Sequence, residues 1–348
     1  MNRGRAESVE NLPISERLSL PGFVNAHSHA FQRSLRGRNE GQDFWAWRET
    51  MLVEAGRQTP ETVRAAYADT YREMHAAGYT AVGEFHYLGL EEAFAAGDAA
   101  AEAGIEIVLL YTAYARGGLD RFRQESVAEY LTQLERLRER GIRVGVAPHS
   151  VRACPPDWLA ELGRYAERET LPLHVHADEQ QREVDECLAE HGMTPIELLA
   201  SAGCLTSRTT VVHATHASAA ELDLLADAEA RICLCPTTEA NLGDGFAPIE
   251  QLCERGIGVC IGSDSNVRID PLEELREIDG TARRTTGKRD AVSLDALLEM
   301  GADEGAAALG LEKWPAVEVD LEHPSLRDVA PECVLGALVA GCGADVLV

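Results

Sequence analysis

Lysine is nearly missing. Lys288 and Lys313 are the only two in 348 residues, and acidic side chains outnumber Lys plus Arg by 58 to 32, for a net charge of -26. Such a surface repels phosphate backbones and anionic headgroups, which argues against nucleic acid and membranes as partners. The same field repels a small anion at long range, so an anionic substrate needs a local cationic pocket. No apolar run approaches the length of about 18 residues that marks a membrane span. Residues 1–20 are polar and charged, without the apolar centre of a signal peptide. The nine cysteines are scattered, odd in number and free of any Cys-x-x-Cys pair. That pattern speaks for reduced thiols in a cytoplasmic protein rather than a disulfide framework. Cys233 and Cys235 alternate inside an apolar run and read as strand residues.

What is present is a rhythm. Hydrophobic residues make up 45% of the chain, enough for one large core. Short apolar runs predict strands at 21–29, 79–85, 105–111, 143–147, 173–175, 210–212, 231–234 and 258–261. Helical segments separate them, many of them stopped by glycine, and Thr59 and Pro60 read as a helix start. Eight such units with no change of rhythm imply a parallel sheet closed into a (β/α)8 barrel over residues 21–310. An open doubly wound sheet is the alternative; the lack of a Gly-rich turn after the first strand weakens it. Residues 31–56 read as a long loop carrying Phe44, Trp45 and Trp47, of the kind that is often functional. Residues 1–20 and 311–348 flank the barrel. They are short for a second domain, and 317–320 and 337–339 are the expected strand remnants of a small β-sandwich.

The chemistry collects where each barrel strand ends. His27 and His29, on alternate positions of the first strand, share one side of it. Later strand ends supply Glu84, His86 and Tyr87, then His149 and Arg152, then His174, His176 and Glu179, then His213 and His216, and finally Asp264. Eight of the 11 histidines fall at such ends; His75, His191 and His323 do not, and read as structural or solvated. The C-terminal face of a barrel is where its site is built. Histidines converging there from several strands, with Asp264 able to reach the barrel axis, imply a divalent metal. Three imidazoles and one carboxylate suit Zn, with Fe as the alternative, and leave a position open for water.

These residues resemble the amidohydrolase superfamily. The resemblance rests on His27, Ser28 and His29 after strand one, His176 to Glu179 after strand five, His213 after strand six and Asp264 after strand eight. It implies that His27, His29, His176 and Asp264 bind the metal and that Glu179, His213 and Asp264 act on water and substrate. His174 then packs or orients, because only His176 has a glutamate three residues on. Neither lysine lies at a strand end, so the carboxylated lysine that bridges two metals in binuclear members has no counterpart, and one ion is expected. Residues 27–33, 44–49, 83–87, 147–153, 212–217 and 236–245 further resemble the formimidoylglutamate deiminases. Members of that family hydrolyse N-formimino-L-glutamate to N-formyl-L-glutamate and ammonia in histidine degradation. The resemblance places Gln32, Tyr87, His149 and Arg152 on the glutamate portion of this small anionic substrate, and the expected assembly is a homodimer. A guanidinium is the group that matches a carboxylate with two parallel hydrogen bonds. The competing expectations are deamination of a purine-like or cytosine-like heterocycle, and an inactive binding protein on the same scaffold. The intact set of metal and acid–base residues weighs against the last.

Overall fold

Short apolar runs between capped helices become strands of one sheet. The computed structural model describes residues 17–348. An N-terminal strand β1 (Arg17–Pro21) precedes the eight barrel strands β2 (Phe23–Ser28), β3 (Tyr79–His86), β4 (Glu106–Ala113), β5 (Val144–Pro148), β6 (Leu173–Ala177), β7 (Thr209–His213), β8 (Arg231–Leu234) and β9 (Val259–Ile261); β10 (Ala316–Asp320) follows. Strands β2 to β9 neighbour one another in chain order, every pair parallel. Most are buried along their whole length, as expected where helices cover the outer face.

The two ends of this sheet meet. Ser28 bridges Asp264 in parallel register, Asp264 N–H donates to the His27 carbonyl at 3.0 Å, and His29 N–H donates to the Asp264 carbonyl at 2.8 Å. Buried side chains reinforce this seam. Asn25 accepts from Ser263 N at 3.0 Å and donates to Ser263 Oγ at 2.6 Å, Ser263 Oγ donates to Asn266, and Asn266 donates to Ser28 Oγ at 3.1 Å. The barrel is therefore closed.

Several element boundaries differ from the sequence-based expectation. Residues 31–56 are not a loop: they form a 3-10 turn, Ala30–Leu35, and a helix, Phe44–Arg57, whose Asp43 cap accepts from Ala46 N. Its apolar residues form no single stripe toward the core: Trp45 and Trp47 line a cavity, Met51 and Leu52 both line it and pack against the core, and only Ala55 beside them is fully buried, so the period gives no clear helical signal. The helical stretch 181–202 is two helices, Gln181–His191 and Pro195–Ser201, broken by left-handed Gly192 and restarted by a capping box on Thr194. Residues 294–309 likewise split at Ala302 into Leu294–Gly301 and Asp303–Ala308. Glycine permits the close seat of the latter on β2: a Cβ on Gly305 would lie 2.9 Å from Val24 Cβ. A further helix, Pro236–Leu242, follows β8.

The flanks pack as a ribbon. β1 pairs antiparallel with β10, Arg17 opposite Asp320, and Val348 exchanges two hydrogen bonds with Glu318. Residues 337–339 are not strand but lie in the helix Val334–Gly341, held by Arg276, which donates to the Val339 and Cys342 carbonyls. The part of the N-terminal flank before residue 17 lies outside the described residues. All nine cysteines are unpaired, with Cys233 and Cys235 buried. Among the described residues, no helix is long and apolar enough to cross a membrane.

The seam makes a testable demand. Asn25→Ala orphans the buried Ser263 N–H, so it should cost on the order of 2 kcal/mol. The denaturant midpoint should fall with the unfolding slope unchanged; an unshifted midpoint would show that the seam does not need this network.

Candidate metal centre and substrate pocket

Three strand ends deliver the four metal-type ligands. His27 is the penultimate residue of β2 and His29 lies just past its end; His176 is the fourth residue of β6; Asp264 follows β9. The backbone is strained where they meet. Asp178, His213, Ala214, Asp264 and Asn266 all have positive φ, a conformation that costs a non-glycine residue about 1–3 kcal/mol and persists only where its surroundings enforce it. For Asp264 the enforcement is the seam itself.

The geometry of the donors is specific. His27 Nε2 lies 3.2 Å from His29 Nε2 and 3.1 Å from His176 Nε2, and Asp264 Oδ1 lies 3.2 Å from both His27 Nε2 and His29 Nε2. Together these four donor atoms fall within 4.8 Å of one another. Tetrahedral ligands about 2.0–2.1 Å from a zinc ion are about 3.3 Å apart. The tautomers agree. His29 Nδ1 faces the Phe85 carbonyl at 2.9 Å and His176 Nδ1 faces the His149 carbonyl at 3.0 Å. A carbonyl only accepts, so each Nδ1 carries the proton and each Nε2 presents a bare lone pair. Burial keeps the rings neutral, lowering His27 to about 3 and holding His29 and His176 below the usual imidazole range. Neutral imidazoles with converging lone pairs repel one another unless a cation lies between them. The residues present fit a divalent ion.

Around this set stand the groups suited to proton transfer. Glu179 is buried, its Oε1 is 3.9 Å from His213 Nε2 and its Oε2 is 3.8 Å from Arg152 Nη2. Burial raises its pKa, against the lowering pull of His213 and Arg152. His213 places Nδ1 3.2 Å from Glu239 Oε1. Burial opposes its charged form, yet Glu179, Glu239 and Asp264 push it up to about 10.

The residues expected to bind substrate line the same cavity. Gln32 Nε2 donates to Tyr87 Oη at 2.9 Å, while Gln32 Oε1 has no partner. His149 rests against Tyr114, ring centroids 4.5 Å apart, with Nδ1 3.1 Å from Ser150 Oγ. Arg152 Nε lies 3.3 Å from Glu183 Oε1, but no geometrically sound hydrogen bond satisfies it. The helix Phe44–Arg57 forms the opposite wall with Trp45, Trp47 and Arg48, and Arg182 stacks over Trp45 at 4.3 Å.

Other strand-end residues point elsewhere. His86 lies between Tyr67 Oη and the Gly89 carbonyl, Glu84 accepts from Ala30 N at 2.8 Å, and His174 Nε2 meets the Ala308 carbonyl at 2.9 Å. Lys288 is exposed and pairs with Glu250. The sequence reading passed over Tyr114 and Arg116, which follow β4, and gave no role to Glu239, which follows β8. These are the two barrel strands from which it drew no residue, and the strand-end rule applied there would have found them.

A metal-supporting barrel with this site defines a class, and the comparisons agree with it. The amidohydrolase family model matches residues 18–319, and the chain belongs to that family. It is 37% identical to a formimidoylglutamate deiminase of Pseudomonas aeruginosa, over 86% of this chain and 74% of the relative. It is 30% identical to a 5-methylthioadenosine/S-adenosylhomocysteine deaminase of Haloarcula marismortui, over 99% of this chain and 82% of the relative. Among solved structures, an amidohydrolase from Brucella melitensis superimposes with a TM-score of 0.83 at 32% identity, covering 94% of this chain and 84% of that one. A zinc-bound adenosine deaminase from Xanthomonas campestris shares the fold, with a TM-score of 0.87 at 24% identity, covering 95% and 78%. The chain is a hydrolase of the type that acts on C–N bonds.

The donor geometry predicts one tightly held divalent ion per chain. His176→Ala should lose it, as read by elemental analysis after desalting, while His174→Ala should retain it. Loss of metal in the His174 variant alone would reverse the assignment of the two histidines.

Proposed function

We propose that the chain hydrolyses N-formimino-L-glutamate to N-formyl-L-glutamate and ammonia, with one divalent ion, zinc, held by His27, His29, His176 and Asp264. The observation that carries this reading is Arg152: a guanidinium in the pocket, within 3.8 Å of Glu179, with a buried Nε that no hydrogen bond satisfies. In a chain of net charge -26, a cation kept at the site is an anchor for a carboxylate. Arg48 and Arg116 line the same cavity. The likeness to formimidoylglutamate deiminase supports the same substrate and its place in histidine degradation, and nine free cysteines support a cytoplasmic location.

A divalent ion, when bound, supplies hydroxide at neutral pH and a Lewis acid. The protein's own groups do the rest. Arg152, with His149, Gln32 and Tyr87, binds the glutamate portion and so fixes where the formimino carbon sits. Asp264, beside the attacking water, accepts a hydrogen bond from it. Glu179 takes a proton from the water and delivers it to the formimino nitrogen; its burial moves its pKa upward, toward the range where it can serve as base and then as acid. His213 Nε2 steadies the oxygen that develops charge. Glu179 then carries the proton of the new hydroxyl to the same nitrogen, and the tetrahedral carbon collapses to the formyl carbonyl as its bond to that nitrogen breaks and ammonia leaves.

A second reading has its own support. Trp45, Trp47 and Tyr114 also line the cavity, and stacking aromatics suit a heterocycle such as those deaminated by the Haloarcula relative. An ammonia-release assay on formiminoglutamate beside adenosine, methylthioadenosine, guanine and cytosine separates the two; turnover of a base and none of formiminoglutamate would overturn the proposal.

Two variants test the roles. Glu179→Gln should lower kcat by about 10²–10⁴-fold with metal content intact, and near-normal turnover would remove the proton-transfer role. Arg152→Met should raise KM at least tenfold, equal to about 1.4 kcal/mol of lost binding; an unchanged KM would count against the carboxylate anchor.

A further inference from the structure

His213 differs from the ligand histidines in what sets its ring. His29 and His176 are oriented by peptide carbonyls, whereas His213 Nδ1 faces a carboxylate, Glu239 Oε1, at 3.2 Å. Glu239 is buried on the helix Pro236–Leu242, which Pro236 starts and left-handed Gly243 ends. The same Oε1 accepts from Cys235 N at 2.9 Å. The carboxylate is thereby folded back onto its own helix start and holds its place independently of His213. His213 needs such a support, since its backbone and that of Ala214 both lie at positive φ, 75° and 52°.

We infer that Glu239 is a positioning residue of the reaction: by accepting the Nδ1 proton of His213, it turns Nε2 toward Glu179 and the reacting oxygen. An oxygen locked by the Cys235 N–H can only accept, so Nδ1 must donate and the ring cannot turn over without leaving both partners unsatisfied. The second face of Glu239 lines a separate cavity together with Leu234, Ala240 and Ile278, and Glu239 is not among the residues lining the substrate pocket. It acts through His213 alone.

The inference rests on the proposed hydrolysis, and two readouts keep the failures apart. Glu239→Leu removes the acceptor and should lower kcat about 10–100-fold with KM and metal content unchanged. Glu239→Gln keeps an acceptor oxygen where Cys235 N–H holds it, and should restore kcat to within a few-fold of wild type. In a His213→Ala background, Glu239→Leu should add no further loss. A wild-type kcat in the Leu variant, a Gln variant as slow as the Leu variant, or additive losses in the double variant would each overturn the inference. The 15N spectrum of His213 in the unaltered, metal-loaded protein needs neither a substrate nor a folded variant. It should show Nδ1 protonated, and a ring protonated at Nε2 alone would overturn the inference. Absence of ammonia release by the wild type would instead reject the function, not the pairing.

Discussion

Closure of the barrel and assembly of the metal centre are one event. The backbone bonds that join the first and last barrel strands are made by His27, His29 and Asp264, and the side chains of the same residues converge with His176. Asp264 sits at a φ of 41°, which an isolated aspartate would leave. Its N–H and carbonyl are both engaged by the neighbouring strand, and Asn266 donates to the same carbonyl. The seam therefore holds strain in place, and that strain sets the direction of the carboxylate. Everything else in the pocket is arranged around this point.

Charge is handled by separation. The protein surface is strongly acidic, yet the centre is made of neutral imidazoles kept so by burial. Arginine supplies the pocket's cationic wall in place of the scarce lysines. Arg152 is held by the charges of Glu179 and Glu183 and not by well-formed hydrogen bonds, so it keeps both its place and its donor capacity. Burial raises Glu179, while Glu179, Glu239 and Asp264 favour His213 as a cation against its own burial, so both neighbouring groups are shifted upward from their usual ranges.

Most of the site was legible because it obeys the period of a strand. His27 and His29 are two residues apart at the end of an apolar run, His176 and Asp264 end other such runs, and a parallel barrel brings these ends to one face; the same period also marked His174, which instead meets the Ala308 carbonyl. Glycine and proline marked most helix limits for the same local reasons. What stayed hidden depends on long-range packing. The helix Phe44–Arg57 divides its apolar residues between the cavity and the core, so it lacks a clean core-facing stripe. The break at Ala302 precedes the close seat of Gly305 on Val24, a tertiary contact that no local pattern announces. Glu239 reads as an ordinary helical glutamate until the fold sets it against His213. Its position after β8, like that of Tyr114 and Arg116 after β4, was the available clue.

If the fold brings bare imidazole lone pairs together at the seam, an ion that bridges them must stabilise the whole chain. Thermal unfolding of the metal-stripped protein across a zinc titration tests this most directly. The midpoint should rise steadily with the logarithm of free metal, reaching about 4 kcal/mol of added stability at a thousandfold excess over Kd. An unfolding midpoint that is the same with and without the ion would contradict the account.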